Sequence, residues 1–203
     1  MSLFRFCRFL CWVVAKLYFR FEVIHKENVP QTGGAVLACN HVSFLDPPLS
    51  GIALKRETHF FARNSLMKNA FSKWFFHKLN CIPVDRDQLD TKTFREVMKK
   101  IKSGELVVMF PEGTRSHTGE IQQAKQGAGM IIHHAQAPVI PCYIDGAAQA
   151  LPRGTHFPSP KKIRVIYGKP LTFAHIQHPD KRAAYTQIAT DVMAAIAELK
   201  NSL

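Results

Sequence analysis

Short apolar runs alternate with stretches of helical periodicity along most of this chain, and the alternation limits the folds open to it. The clearest run covers residues 106–110 and ends at Pro111. The apolar runs predict six strands, at 35–39, 58–62, 81–84, 106–110, 139–144 and 163–167. The stretches between them predict helices at 47–54, 64–79, 90–103 and 127–136, with a last helix after Asp180. Strands separated by helices predict an α/β fold with a largely parallel central sheet flanked by helices.

The amino-terminal segment has a different pattern, in which apolar residues are interrupted by basic ones. Its longest charge-free run is 9–15, and a bilayer-spanning helix needs about 20 mostly uncharged residues. On a helical wheel the basic residues occupy one face about 120° wide, and apolar residues cover much of the rest. These basic residues are Arg5, Arg8, Lys16 and Arg20. The pattern predicts a helix in a membrane interface with basic side chains toward the headgroups; the alternative is a helix packed on the domain.

The length fits one α/β domain after this helix. We expect a membrane-associating amphipathic helix at 1–22 and the α/β domain at 23–203, on the cytoplasmic face of a membrane as a peripheral or monotopic protein. The 27 Lys and Arg residues exceed the 15 Asp and Glu residues and leave a net charge of +12. Such an excess favours an anionic partner, which charge alone leaves open among nucleic acid, a membrane surface and phosphorylated substrates.

The five cysteines suggest no metal or disulfide chemistry. Their number is odd and no CxxC pair occurs, so neither a zinc site nor a disulfide framework is indicated. We expect reduced thiols and no bound metal.

A histidine and an aspartate follow the first predicted buried strand at a spacing of five residues. Ligands bind at the carboxyl ends of strands in open α/β sheets, and a loop there would bring His41 and Asp46 together. The carboxylate would orient the imidazole, which would act as a general base. The spacing alone is weak evidence, because His175 and Asp180 repeat it; there, Asp180 is better interpreted as a helix cap.

Three further elements accompany the pair. Residues 110–116, after another buried strand, form a Pro- and Gly-containing turn with Thr, Arg and Ser donors, and arginine suits bidentate phosphate binding. Arg86 lies just beyond the short strand 81–84, where a surface salt bridge with Asp85 or Asp87 is the alternative interpretation. Residues 139–143 form a core strand that contains a proline.

Together, in this order, the four elements resemble the PlsC-type 1-acylglycerol-3-phosphate acyltransferase family, over roughly 33–145. The resemblance implies that His41 is the base, Asp46 its partner and Arg86 a ligand of the acceptor's phosphate. It assigns the glycerol-phosphate part of the acceptor to Glu112, Gly113, Thr114 and Arg115, and the acyl-donor side to Ile140 and Pro141. It also implies an α/β fold after a membrane-associated helix, with no metal and no cofactor.

The chain departs from the family pattern at two positions. Arg63 stands where many relatives have lysine, which keeps the charge, and Asn80 stands where many have glycine. Lys125 matches a basic position that often follows the strong 110–116 motif, so it is a secondary candidate together with Arg63; a solvated lysine is the alternative.

The predicted activity is acyl transfer from acyl-CoA or acyl carrier protein to the sn-2 hydroxyl of lysophosphatidic acid, giving phosphatidic acid. Two alternatives stay open: the same chemistry on another lysophospholipid, and a non-catalytic basic module that binds membranes or nucleic acid. The expected partners are an anionic membrane surface, the lysophospholipid and the acyl carrier, without nucleic acid.

Overall fold

A seven-stranded sheet forms the centre of the molecule. The computed structural model describes residues 2–84, 90–176 and 178–203. The strands are β1 (Glu22–Ile24), β2 (Ala35–Cys39), β3 (Thr58–Arg63), β4 (Cys81–Val84), β5 (Leu106–Met109), β6 (Val139–Asp145) and β7 (Arg164–Tyr167). Their order in the sheet is β1-β7-β6-β2-β5-β3-β4, and all neighbours are parallel except β6 and β7. The predicted α/β fold with a largely parallel sheet is confirmed.

Helices cover both faces of this sheet. They are α1 (Leu3–Tyr18), α2 (Asp46–Gly51), α3 (Ala70–Lys78), α4 (Thr91–Lys102), α5 (Gln126–Ala135), α6 (Ala147–Ala150) and α7 (Lys181–Asn201). The predicted helix at 64–79 is wrong in its first turns, where a 3₁₀ turn (Asn64–Leu66) precedes α3. Asn69 starts the true helix, because its side chain accepts the backbone N–H of Ser72 and the Ser72 hydroxyl accepts the N–H of Asn69.

The central strand β2 separates two parts of the core. All five of its residues are buried, and alternate side chains point to opposite faces. Leu37 packs in a cluster with residues of α1, α2 and α6, whereas Val36 packs in a cluster with residues of α4, α5 and α7. The two-sided burial explains the continuous apolar runs that predict the strands.

Helix α1 packs on the first of these clusters through Ala15. The Arg8 guanidinium turns toward the domain, where Nη1 donates to the carbonyl oxygens of residues 54–56 at 3.1–3.4 Å. The carbonyl oxygens of this turn thus bind Arg8 to the domain, and its contact with headgroups stays a prediction. Arg5 Nε lies 3.2 Å from Glu57 Oε1, and Lys16 Nζ donates to the carbonyl oxygen of Phe21 at 2.7 Å. For Arg5, Lys16 and the exposed Arg20, the headgroup role stays a prediction.

Helix α1 also carries exposed apolar side chains. Its exposed apolar residues are Phe6, Phe9, Leu10, Trp12, Val14, Leu17 and Tyr18, of which Leu17 is 81% exposed. In the described part of the chain, none of the helices has the length and apolar character of a bilayer-spanning segment.

Close packing of α5 against α7 depends on a glycine. A Cβ atom at Gly129 would lie 1.9 Å from the carbonyl oxygen of Tyr185, a backbone atom that cannot rotate away. Gly127, two residues earlier in the same helix, has open space at the equivalent position.

We expect Gly129→Ala to lower the free energy of unfolding by about 2 kcal/mol or more, because α7 must move away to admit the methyl group. Gly127→Ala is the matched control and should be neutral or stabilising by about 0.5–1 kcal/mol, since alanine is the better helix former. Urea unfolding of both variants measures the difference; equal stabilities would contradict this account of the helix contact.

Candidate active site

The loops that follow β2 and β5 meet at the carboxyl edge of the sheet. The two strands are paired neighbours, with Ala38 opposite Met109, so their ends lie side by side. The backbone N–H of Ser116 donates to the carbonyl oxygen of His41 at 2.7 Å, and the N–H of His41 donates to Glu112 Oε1 at 2.9 Å. These bonds hold the loop at 41–46, here called the histidine loop, and the 110–116 turn together.

His41 and Asp46 form the expected contact, with Nδ1 and Oδ2 2.8 Å apart. Asp46 is fully buried, and the same Oδ2 accepts the backbone N–H groups of Val42 and Ser43 at 2.6 and 2.7 Å. The His41 ring also stacks on Phe110, with ring centroids 4.1 Å apart. With Nδ1–H donating to the carboxylate, Nε2 keeps the lone pair with which a base accepts a proton.

His175 and Asp180, which repeat the five-residue spacing, have no such arrangement. The Asp180 carboxylate accepts the backbone N–H of Arg182 at 2.8 Å and caps α7, and His175 is exposed. The interpretation of Asp180 as a helix cap is confirmed.

A cavity of about 780 Å³ opens beside His41. Most of its wall is apolar and comes from α1, α2, β3 and α3, including Phe4, Cys7, Cys11, Ile52, Phe60, Phe76 and Leu79. Its polar wall contains the predicted residues Gly113, Thr114 and Arg115, together with both secondary candidates, Arg63 and Lys125. Five predicted binding residues thus share one cavity with the candidate base.

Four cationic side chains line this cavity: Arg8, whose guanidinium binds the carbonyl oxygens of residues 54–56, and Arg63, Arg115 and Lys125. The Arg115 guanidinium carbon lies 3.4 Å from the centre of the Phe44 ring. Burial lowers the pKa of Arg115, and the nearby Arg153 and Arg63 lower it further, while Asp46 opposes them. Within the described residues, neither Arg63, Arg115 nor Lys125 forms an ion pair with a carboxylate. Such a group of unpaired cations suits an anionic ligand.

Gly113 allows Lys125 to reach this wall. Its φ is +70°, and a Cβ atom there would lie 2.8 Å from Lys125 Cδ. The backbone N–H of Lys125 also donates to the carbonyl oxygen of Pro111 at 2.8 Å. Lys125 is thus held against the turn by a backbone hydrogen bond and by close packing of its side chain on Gly113.

Glu112 is buried and bonded within the protein. It is 3% exposed and is absent from the cavity wall that the described residues form. Oε1 accepts the N–H of His41, and Oε2 accepts Gln122 Nε2 at 2.8 Å. Burial raises the pKa of Glu112, and its hydrogen bonds to His41 and Gln122 oppose that rise. The side chain thus turns inward to these donors and holds the histidine loop, and its part in binding the glycerol-phosphate stays a prediction.

Two other predicted residues lie away from the cavity. Ile140 and Pro141 are interior residues of strand β6, and neither is among the described residues of the cavity wall. They pair with Leu37 and Ala38 of β2. Their assignment to the acyl-donor side stays a prediction. Arg86 lies outside the described residues, so its role stays a prediction.

The Asn80 departure has a local explanation. Asn80 has a φ of +59°, the left-handed region in which glycine is favoured and asparagine is tolerated. Its carbonyl oxygen accepts the N–H of Phe60, and its side chain donates to Glu57 Oε2 at 3.2 Å. The asparagine thus keeps the turn that leads into β4.

Sequence reasoning missed Gln122 and Arg153. Besides its bond to Glu112, Gln122 Nε2 donates to the carbonyl oxygen of Thr114 at 3.2 Å. Neither residue belongs to a motif, and each acts through a tertiary contact that has no sequence signature.

Known proteins resemble this chain along most of its length. A protein-family model described as Acyltransferase matches residues 20–145. A 1-acyl-sn-glycerol-3-phosphate acyltransferase of Bacillus subtilis (strain 168) is 31% identical, over 99% of this chain and 98% of that protein. A protein of the same name from Pseudomonas aeruginosa is 29% identical, over 96% of this chain and 77% of that protein. The chloroplastic LPAT1 of Arabidopsis thaliana is 27% identical over 79% of this chain, which spans only 46% of that longer protein.

One solved structure shares the fold. The 1-acyl-sn-glycerophosphate (LPA) acyltransferase PlsC from Thermotoga maritima superposes with a TM-score of 0.74 at 24% identity. The match covers 98% of this chain and 84% of that one.

We expect Gln122→Ala to lower the free energy of unfolding at pH 8 by about 2 kcal/mol, because a buried carboxylate loses a hydrogen bond. Burial already raises the pKa of Glu112 in the folded state, and the loss of Gln122 raises it further. A raised carboxyl pKa favours folding below the unfolded value and costs stability as the pH rises through the folded value, so the defect should shrink from pH 8 to pH 5.

Thermal unfolding at both pH values measures this effect. Gln123→Ala, at the exposed neighbouring position, is the control and should match the wild type throughout. A Gln122→Ala defect that does not depend on pH would mean that the Glu112 contact is not its cause.

Proposed function

This chain belongs to the acyltransferase family, and we propose that it moves an acyl group from a thioester donor to the free sn-2 hydroxyl of lysophosphatidic acid, giving phosphatidic acid. One observation carries the proposal: the oriented His41 imidazole shares its cavity with Arg63, Arg115 and Lys125. Several relatives are named for this activity, including the protein that spans nearly the same length.

The acceptor fits the two kinds of wall in this cavity. Its phosphate binds the cationic side chains, and its acyl chain lies along the apolar wall that α1, α2, β3 and α3 provide. The glycerol carbons between them leave the free hydroxyl beside His41. A strong preference for lysophosphatidic acid over uncharged monoacylglycerol tests the role of the phosphate, and equal use of both would contradict it.

Acyl transfer then needs one proton transfer in each direction. His41 Nε2 takes the proton of the hydroxyl as its oxygen attacks the thioester carbonyl carbon. The tetrahedral intermediate collapses with breakage of the carbon–sulfur bond, and the imidazolium returns the proton to the departing thiolate. The products are an ester and a free thiol, and the buried Asp46 stabilises the imidazolium between the two transfers.

We expect His41→Ala to lower kcat by about 10²–10⁴, because the base is lost, with little effect on acceptor affinity. His175→Ala is the matched control, since His175 has the same spacing to an aspartate but lies exposed away from the site. Mass analysis of the product formed from lysophosphatidic acid, with acyl-CoA and with acyl carrier protein as donors, measures turnover and identifies the donor. Near-normal turnover by His41→Ala would refute the assignment.

The proposed location is a membrane surface, bound through exposed apolar residues of α1. The helix exposes seven large apolar residues, and it also contributes Phe4, Cys7 and Cys11 to the cavity wall. A helix in this position lets a lipid pass from the bilayer into the cavity over a short path.

We expect Leu17→Glu to weaken binding to vesicles of phosphatidylglycerol and phosphatidylethanolamine at least tenfold, because a charge would enter the apolar phase. Leu203→Glu, an exposed leucine at the end of the described chain, is the control and should bind as the wild type does. Vesicle co-sedimentation measures both, and equal binding would place the membrane contact elsewhere.

A further inference from the structure

Arg153 lies at the edge of the active site in the loop between α6 and β7. Its Nη1 is 3.4 Å from the carbonyl oxygen of Arg115 and 3.0 Å from His117 Nε2. The loop is also tied to the histidine loop, because the Ser43 hydroxyl donates to the carbonyl oxygen of Leu151 at 3.2 Å. These contacts fix an exposed guanidinium beside the catalytic machinery.

The same contacts place Arg153 just outside the cavity. Arg115 lines the cavity, whereas Arg153 is absent from the described residues of its wall. His117 follows Ser116, whose N–H is bonded to the carbonyl oxygen of His41. Arg153 is therefore exposed outside the cavity and is linked through His117 and Ser116 to the loop that carries His41.

The charges around Arg153 favour an anion. In the described part of the chain, Arg153 has no carboxylate partner, and its charge is one of the causes that lower the pKa of Arg115. An arginine only donates hydrogen bonds, so His117 Nε2 must accept and cannot carry a proton there. Two adjacent guanidinium groups repel each other, and an anion bound between them or beside them relieves that repulsion.

The two substrates of the proposed reaction carry phosphate at different distances from the reacting atoms. The acceptor's phosphate is separated from the hydroxyl only by glycerol carbons, so it must lie inside the cavity. The donor's phosphate lies at the far end of the pantetheine arm, many bonds from the thioester, and so must lie outside. This arm and its phosphate are common to acyl-CoA and acyl carrier protein.

We propose that Arg153 binds the phosphate of the donor's phosphopantetheine arm, and so sets the affinity for the acyl donor. The inference rests on the proposed acyl transfer from a thioester. It separates the two anions of the reaction, with Arg63, Arg115 and Lys125 for the acceptor and Arg153 for the donor.

The test uses two synthetic donors, S-acyl-4′-phosphopantetheine and S-acylpantetheine, with lysophosphatidic acid as acceptor. We expect Arg153→Ala to raise the KM of the phosphorylated donor about tenfold, the loss of one charge-assisted hydrogen bond. The KM of the unphosphorylated donor and that of the acceptor should not change. Arg95→Ala, an exposed arginine on α4, is the matched control and should behave as the wild type. Arg153→Lys keeps the positive charge and should recover part of the donor affinity. If the effect of Arg153→Ala came only from loss of the contact to Arg115, this recovery would not be expected.

The natural carriers distinguish the source of the phosphate. The shared phosphate predicts the same fold-change for acyl-CoA and acyl carrier protein, whereas an effect on one carrier alone overturns the assignment. A raised acceptor KM with an unchanged donor KM also overturns it, by moving Arg153 to the acceptor. If the wild type does not acylate lysophosphatidic acid with any donor, the proposed function itself is refuted. If the wild type is active and Arg153→Ala has normal donor KM values, only the role of Arg153 is refuted.

Discussion

One buried carboxylate oxygen organises the whole site. Asp46 Oδ2 accepts the His41 imidazole and two consecutive backbone N–H groups, and the residue is fully shielded from water. A buried charge is costly unless such donors surround it, so the loop after β2 has little choice of conformation. The loop geometry and the orientation of the His41 imidazole thus have the same cause.

A second buried carboxylate, that of Glu112, connects the histidine loop to the turn that follows the neighbouring strand β5. Glu112 holds the backbone of His41 with one oxygen and Gln122 with the other. Because Gln122 also bonds the turn that carries Thr114, the base and the cationic wall of the cavity are positioned by one network. The two acidic side chains therefore bind groups of the protein itself, and the charged side chains among the described residues of the cavity wall are all cationic.

Much of this arrangement could be predicted from the sequence, because its parts have local signatures. Because strands that are buried on both faces consist of apolar residues, they appear in the sequence as apolar runs. Strand β1, with three residues, is too short to show such a run. The loops at 41–46 and 110–116 follow two such runs, and parallel pairing brings them together. The tertiary contacts of the residues could not be predicted in the same way. A helical wheel gives the direction of Arg8 but not the carbonyl oxygens that accept its hydrogen bonds. The motif includes Glu112 but does not show that its side chain points inward.

The position of α1 has a consequence for the proposed contact with a membrane. The helix shares the hydrophobic core with the catalytic domain through Ala15, and it also forms part of the cavity wall. It is therefore no flexible tether from which a separate globule swings. On the proposed membrane surface, a tilt of the helix in the lipid would tilt the cavity with it, so the fold would set the angle at which the opening meets the bilayer.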